Sequence, residues 1–409
     1  MVARALRNLL VFLPLTVTFL PALPDAAATD RTAASSISYP FASRLKPYVA
    51  GIKPTVASQP SQDALVRGQY ERWKAGGVKA RCGGQVVVHN DAYLTLSEGA
   101  GYGMLLSVLM AGYDKEAKSV FDGLLRVARA HPAYSTGHGA LMEWRVKPDC
   151  SGGGDGWNAL DGDLDIAMAL LMADKQWGSA GSVNYKAQAL ATIAAIKAHN
   201  MSKDGYTKGL PNGNNTRTSD YMITHFRAFR RATGDAFWDL AIDKAFELLD
   251  LMQTRFARDT GLIPDFIINA HTSAPSPSPG FIADGNANEG FYFWNACRLP
   301  WRLASDYVTS GDNRSKVITA RMVDFFNRAS GGDPSRITAG YKLDGTALSN
   351  LAAPAFIGPV TAGAMVDARF HPFLDRLWSY STSILGRGYY ETELQLLSLV
   401  VVSGNWWNP

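Results

Sequence analysis

Cysteine is scarce in this chain, with only Cys82, Cys150 and Cys297 in 409 residues. So few cysteines exclude a scaffold held mainly by disulfides. The seven histidines are scattered, with no His-Glu-x-x-His and no close Cys/His set. No metal and no cofactor are therefore expected. Charge is thin as well: 19% of residues are charged, the net charge is +4, and no basic cluster stands out. Nucleic acid and anionic lipid are not expected partners. Beyond the first 28 residues no apolar run is long enough for a membrane helix. Glycine and proline are spread along the chain rather than gathered into a linker, and 47% hydrophobic residues suffice for a large core.

The N-terminus has the pattern of a targeting segment. Arg4 and Arg7 precede a mostly apolar run from Leu9 to Leu20, broken by Pro14, and Ala26-Ala27-Ala28 offers a cleavage site. This predicts a signal peptide over residues 1–28 and a secreted or periplasmic protein. Residues 29–59 are expected as an extended arm and residues 60–409 as a single catalytic domain, a monomer with no membrane contact after cleavage. Export permits a disulfide, for which Cys82–Cys150 is the favoured pairing with Cys297 a buried thiol; three free buried thiols is the equal alternative.

From residue 60 the dominant period is helical. Met104, Leu105, Val108 and Leu109 draw one apolar face; Val120, Phe121, Leu124, Leu125 and Ala128 draw another. Helices are expected over 63–75, 97–112, 115–130, 162–177, 185–199, 219–233, 237–256, 289–308, 316–330, 356–366, 373–386 and 391–402. Gly358 and Pro359 interrupt the tenth. Some segments are amphipathic; others, such as Ala167-Met168-Ala169-Leu170-Leu171, are apolar nearly all round, as buried helices are. That alternation suggests an inner ring of helices wrapped by an outer ring. Long loops hold Gly152-Gly153-Gly154, Asn212 to Thr216 and Ser273 to Gly280, and a short strand pair is expected near Gln85–Val88.

Three acidic segments carry the candidate chemistry. In Ser97-Glu98-Gly99-Ala100-Gly101-Tyr102-Gly103-Met104, Ser97 reads as an N-cap and Glu98 as either a helix-start carboxylate favoured by the macrodipole or a functional acid. In Asp161-Gly162-Asp163-Leu164-Asp165, Ile166 occupies the place where a calcium loop needs glycine. Asp161 and Asp163 would lie roughly 200° apart on a helix, so one is expected to cap it and the other to face the bore. The third segment runs from Asp284 and Glu289 into Phe291-Tyr292-Phe293-Trp294. Aromatic faces beside carboxylates suit a sugar, whose apolar ring face stacks while acids act on the glycosidic oxygen and on water; the same aromatics could equally be core.

Read together, Ser97-Glu98-Gly99-x-Gly101-Tyr102-Gly103-Met104, the segment from Ala159 through Asp161-Gly162-Asp163 to Trp177, and Phe356-Ile357-Gly358-Pro359-Val360 resemble the signature blocks of glycoside hydrolase family 8. One departure is Leu160, where Ser or Thr is usual. The resemblance covers about residues 60–408. It implies an all-α fold, an (α/α)6 barrel of six inner and six outer helices, and hydrolysis with inversion. It implies Glu98 as general acid and Asp161 as the carboxylate that orients the distorted sugar. Many members take their base from a Tyr-Asp-Ala-x-Arg block, but Trp294-Asn295-Ala296-Cys297-Arg298 stands here, and asparagine takes no proton. The departure resembles a subgroup whose base lies on an inserted loop upstream, here about Ala270 to Gly290. Asp284 is the first choice, Glu289 the second and Asp265 a distant third, with Asn295 able to hold the water. The same resemblance implies substrate contacts from Tyr102, Trp144, Tyr221, Trp294, Asn295, Arg298 and Tyr390.

The expected substrate is a polysaccharide, a β-1,4-linked cellulose-type or mixed-linkage glucan in preference to chitosan. Chitosan would call on extra acids such as Asp155, Asp163 and Asp220 to meet its ammonium groups. A polysaccharide lyase is disfavoured by the three-acid constellation, and a non-catalytic glycan-binding protein would follow if the missing aspartate left the site dead. Catalysis also sets a demand on Glu98: a helix start lowers a carboxyl pKa, so burial and the charge of Asp161 must raise it if Glu98 is to donate a proton.

Overall fold

The computed structural model describes residues 37–136, 138–208 and 213–409. The expected signal peptide, the first part of the arm and part of the Asn212–Thr216 loop lie outside the described residues. Twelve α-helices occur among them: α1 Gln59–Gly77, α2 Ser97–Leu109, α3 Ala117–Ala130, α4 Leu160–Trp177, α5 Tyr185–Asn200, α6 Ile223–Thr233, α7 Phe237–Phe256, α8 Leu299–Ser310, α9 Asn313–Ala329, α10 Pro354–Gly363, α11 His371–Ser383 and α12 Gly388–Val402.

The even-numbered helices form the inner ring. α2 packs on α4, α4 on α6, α6 on α8, α8 on α10, α10 on α12, and α12 closes back on α2. Most of them lack a polar face: α2 buries all of its residues but Glu98, and α10 buries every one, whereas α6 carries Arg227, Arg230 and Arg231 on a more open side. The odd-numbered helices wrap them, α1 against α12, α3 on α2, α5 on α4, α7 on α6, α9 on α8 and α11 on α10. α3 shows the outer type, with Val120, Phe121, Leu124, Leu125 and Ala128 buried on one face and Lys118 paired with Asp122 on the other. This is an (α/α)6 barrel.

Among the described residues nine short strands decorate it: β1 Val78–Arg81, β2 Gln85–Val88, β3 Thr95–Leu96, β4 Pro132–Ala133, β5 His138–Met142, β6 Arg145–Val146, β7 Thr216–Arg217, β8 Phe266–Ile268 and β9 Ser276–Pro277. β1 and β2 form the antiparallel pair expected near Gln85–Val88, with Val78 opposite Val88. β3 pairs with β6, β4 with β5, and β7, β8 and β9 make a small antiparallel sheet. A disulfide joins Cys82 in the β1–β2 turn to Cys150 in the loop after β6, and Cys297 is a buried thiol.

Two helix expectations need correction. Residues 289–295 are not helical; a 3-10 turn at Ala296–Arg298 leads into α8. The buried Asp265 carboxylate accepts backbone N–H groups of Phe293, Asn295 and Ala296, so this backbone is pinned by a side chain instead of by helical carbonyls. At the tenth helix Pro359 does not break the segment: α10 runs through it. Burial on every side outweighs the propensity cost, which is about 3 kcal/mol in an exposed helix.

The described part of the arm, residues 37–58, closes the end of the barrel away from the helix starts. Its backbone meets the C-terminal ends of inner helices: Phe41 N–H donates to Ala111, Val49 to Val308 and Ile52 to Met365. Gln176 at the end of α4 brackets Tyr39, accepting from its N–H and donating to its carbonyl. Tyr39 stacks on Trp407 from the chain's last residues, ring centroids 4.5 Å apart. With one mouth closed, the open mouth is the one where the inner helices begin.

At that mouth α2 and α4 cross through glycine. A Cβ on Gly162 would stand 2.5 Å from Ser97 Oγ and 2.8 Å from Glu98 N; one on Gly101 would stand 2.8 Å from Asp165 Cβ. This crossing sets Glu98 and Asp161 side by side. We expect Gly162→Ala to destabilise the protein by about 1–3 kcal/mol in denaturant unfolding, the usual cost of overpacking. Gly76→Ala, where a Cβ meets nothing within 4 Å, should lose nothing.

Candidate active site

The starts of α2, α4, α8 and α12 surround a cleft of about 370 Å³, lined by Glu98, Asp161, Arg217, Asn295 and Arg298 with aromatic walls from Trp144, Trp294, Tyr389 and Tyr390. Arg298 lies at its floor, its side chain 2% exposed. One guanidinium nitrogen, Nη1, donates to both Glu98 Oε1 and Asp161 Oδ2, the latter at 2.7 Å. Nη2 donates to Ser219 Oγ and to Asn295 Oδ1, each at 2.8 Å, and Nε donates to the Asn295 carbonyl. All the donors on this buried cation are used, as its burial demands.

The two carboxylates that share Arg298 are driven apart in acidity. Glu98 is pushed up to about 7: burial is the largest cause, opposed by Arg298, while the charge of Asp161 adds to the rise. Tyr389 donates to Glu98 Oε2 at 3.0 Å and Tyr102 to Oε1 at 3.3 Å. Asp161 is also buried, but Arg217 at 2.8 Å and Arg298 outweigh that burial and hold it well below the ordinary carboxylate range. One group thus tends to keep its proton near neutral pH while its neighbour stays ionised.

The loop that carries Asp284 meets the cleft at Asn295. Asn295 links it to the floor: its amide oxygen accepts from Arg298, while its amide nitrogen faces Asp265 Oδ2 at 3.2 Å and Asp284 Oδ2 at 3.4 Å. Asp284 presents surface to solvent, yet protein around its carboxyl removes part of the hydration, and this desolvation together with the nearby charge of Glu289 raises its pKa. Glu289 does not face the cleft. It is buried and accepts N–H groups of Ile282, Ala283 and Asp284 and the Ser278 hydroxyl, which hold it down at about 2. Asp265 is likewise consumed by four N–H donors around the Asn295 turn.

Other sequence expectations divide. Trp144, Trp294, Asn295, Arg298 and Tyr390 line the cleft. Tyr102 and Tyr221 do not reach it as substrate contacts, because both rings are fully buried: Tyr102 lies edge-on to Trp301 beneath Glu98, and Tyr221 accepts from Thr216 inside the wall. Ser97 is no N-cap; it is the first residue of α2, its hydroxyl shut in at the Gly162 crossing. Neither Asp161 nor Asp163 caps α4. Asp163 turns away from the cleft, accepting from Met142 N and Asn158, and Asp165 is the residue in the bore, clasped by Arg302 and His225. Of the aromatic run, Tyr292 is core against Phe326 and Phe356, while Trp294 is wall.

Arg217 and Tyr389 were not anticipated. Arg217 bridges Asp161 and Asp220. Its signal was its place just before Thr218-Ser219-Asp220 at the entry to an inner helix. Tyr389 adjoins Tyr390, and only the helix phase decides that both face the cleft.

Residues 53–403 match the family described as glycosyl hydrolases family 8. The chain belongs to family 8. It is 37% identical over 385 residues to a β-glucanase of Niallia circulans, spanning 90% of this chain and 93% of that protein. To an endoglucanase of Bacillus sp. (strain KSM-330) it is 34% identical, across 88% of this chain and 80% of the other. Among solved structures, the apo β-1,3-1,4-glucanase from Paenibacillus sp. X4 superposes with a TM-score of 0.86 at 34% identity, covering 91% of this chain and all of that one.

In this family 8 barrel the Tyr389 hydroxyl bond favours the ionised form of Glu98. Removing it should move the titration upward. We expect the Glu98 carboxyl, followed by carbon NMR, to titrate near 7 in the unaltered protein and higher in Tyr389→Phe; an unchanged or lower value would show that the bond does not act on that carboxylate.

Proposed function

We propose that this family 8 protein is an exported endo-acting glucanase that hydrolyses β-1,4 bonds with inversion, residues 1–28 being removed on export. The observation that carries the reading is the single buried arginine shared by a carboxyl neutral near pH 7 and a carboxylate held ionised, in an aromatic-walled cleft. Glu98 gives its proton to the glycosidic oxygen as the bond to the anomeric carbon breaks. Asp161 remains an anion beside the oxocarbenium-like sugar. A water attacks the opposite face, and its proton passes to Asp284.

Asp284 as base, in the subgroup with asparagine at position 295, is supported by its contact with the Asn295 amide and by a raised pKa, which makes a carboxylate a better base. Asn295, tied to Arg298 and Asp284, is placed to hold the water between them. Glu289 serves by folding the loop around its own carboxylate. Inversion needs room for water between acid and base, a separation of roughly 6.5–9.5 Å; the Arg298 and Asn295 side chains intervening between Glu98 and Asp284 favour such spacing.

A neutral glucan is favoured over chitosan by the pairing of the acids. Glu98 and Asp161 are each matched by arginine. Asp220 pairs with Arg217, Asp163 bonds inside the wall, and Asp155 accepts from Trp144 and Arg145, so none is left to receive an ammonium group.

Reducing-sugar release on mixed-linkage glucan, carboxymethyl cellulose and chitosan, side by side, tests the reading. Hydrolysis of the glucans is expected; cleavage of chitosan alone would make the protein a chitosanase, and silence on all three a binding protein. Glu98→Gln should abolish hydrolysis while glucan binding persists. Asp284→Asn should cost at least ~10²-fold, the scale of a lost acid–base catalyst; near-normal turnover would remove Asp284 as base. Because the donor must be protonated, the rate should fall as pH rises through about 7.

A further inference from the structure

Tyr389 and Tyr390 face two spaces. On one side they wall the cleft; on the other they wall a groove of about 620 Å³ between the end of α1, the loop after β2 and the start of α12. The groove and the cleft are thus neighbours that share these two residues as lining. α1 ends in Gly76-Gly77, so no side chain fills the groove from there. Arg72 projects from α1 and Arg387 from the start of α12, both exposed. Neither guanidinium has an ion-pair partner among the described residues. This contrasts with the cleft, where each arginine is matched by a carboxylate. Of the other charged groups nearby, His89 faces Asp91 at 3.6 Å and Glu391 accepts the Arg387 backbone N–H, leaving both arginine heads free.

We propose that this groove is a binding site for an acidic glucan, in which Arg72 and Arg387 receive carboxylate groups carried by the chain as it leaves the cleft. The proposal rests on the glucanase reading for its neutral backbone and adds the charged substituent. Two unpaired, forked guanidiniums on a groove wall suit carboxylates, which they can bind through paired N–H donors. They also repel a polycation such as chitosan.

The test compares carboxymethyl cellulose with hydroxyethyl cellulose, its neutral counterpart, for the unaltered protein and for the Arg72→Ala/Arg387→Ala double variant. At low salt the double variant should lose about threefold to tenfold in kcat/KM on the carboxymethyl polymer, chiefly through KM. On the neutral polymer the change should stay within about twofold, and the difference should shrink in high salt as charges are screened. Equal losses on both polymers, or none on the acidic one, would overturn the proposal. Arg72→Glu guards against a fold effect, since charge reversal should deepen the selective loss. Affinity electrophoresis in gels holding either polymer reads binding without turnover. If the unaltered protein hydrolyses nothing yet is retarded only by the acidic polymer through Arg72 and Arg387, the glucanase reading fails and the groove stands.

Discussion

A guanidinium buried to 2% exposure is costly unless every donor is met, and the open mouth of this barrel is arranged around meeting those of Arg298. Its partners come from four places in the chain: Glu98 at the start of α2, Asp161 at the start of α4, Ser219 before α6 and Asn295 before α8. Four of the six inner helices, α2, α4, α6 and α8, thus begin beside a group delivered to one cation. The pairing also sets the two acidities. Arg217 ion-pairs directly with Asp161 and is only a lesser influence on Glu98, so desolvation dominates at Glu98 and attraction dominates at Asp161.

Close approach makes this sharing possible. Gly101 and Gly162 let α2 and α4 cross almost backbone to backbone, and a methyl at either would push the carboxylates apart. Below the crossing, Asp165 with Arg302 and His225 forms a second buried charge set in the bore: both carboxylate oxygens of Asp165 are bonded, while Arg302 Nε and His225 Nδ1 have no protein partner among the described residues. The far mouth is closed by the arm and the C-terminal residues, so the cleft with Arg298 opens at the other end of the barrel.

The loop side follows another rule. Here carboxylates fold the backbone: Glu289 gathers the N–H groups of residues 282–284, and Asp265 gathers those of the Asn295 turn. Asp284 is left outside these nests, facing the Asn295 amide. Three acids within one region of sequence thus have separate fates, and their local sequence does not tell them apart.

Much of the fold was legible because burial imprints on composition. A helix with no polar face, such as Ala167 to Leu171, has to be enclosed, and alternating such helices with amphipathic ones fixes two rings; the span of α7 coincides with its hydrophobic pattern. Glu98 and Asp161 were legible from their motifs. What only tertiary structure decided is whatever depends on direction and on distant partners: that Tyr102 and Tyr221 point inward, that Ser97 is packed beneath a glycine, that residues 289–295 obey Asp265 and not helical propensity, and that Arg217 and Tyr389 reach the acids. Periodicity reports how much of a segment is hidden, because hydrophobic burial is non-directional and accumulates along the chain. Hydrogen bonds and ion pairs are directional and join residues more than a hundred positions apart, so their partners exist only once the ring has closed.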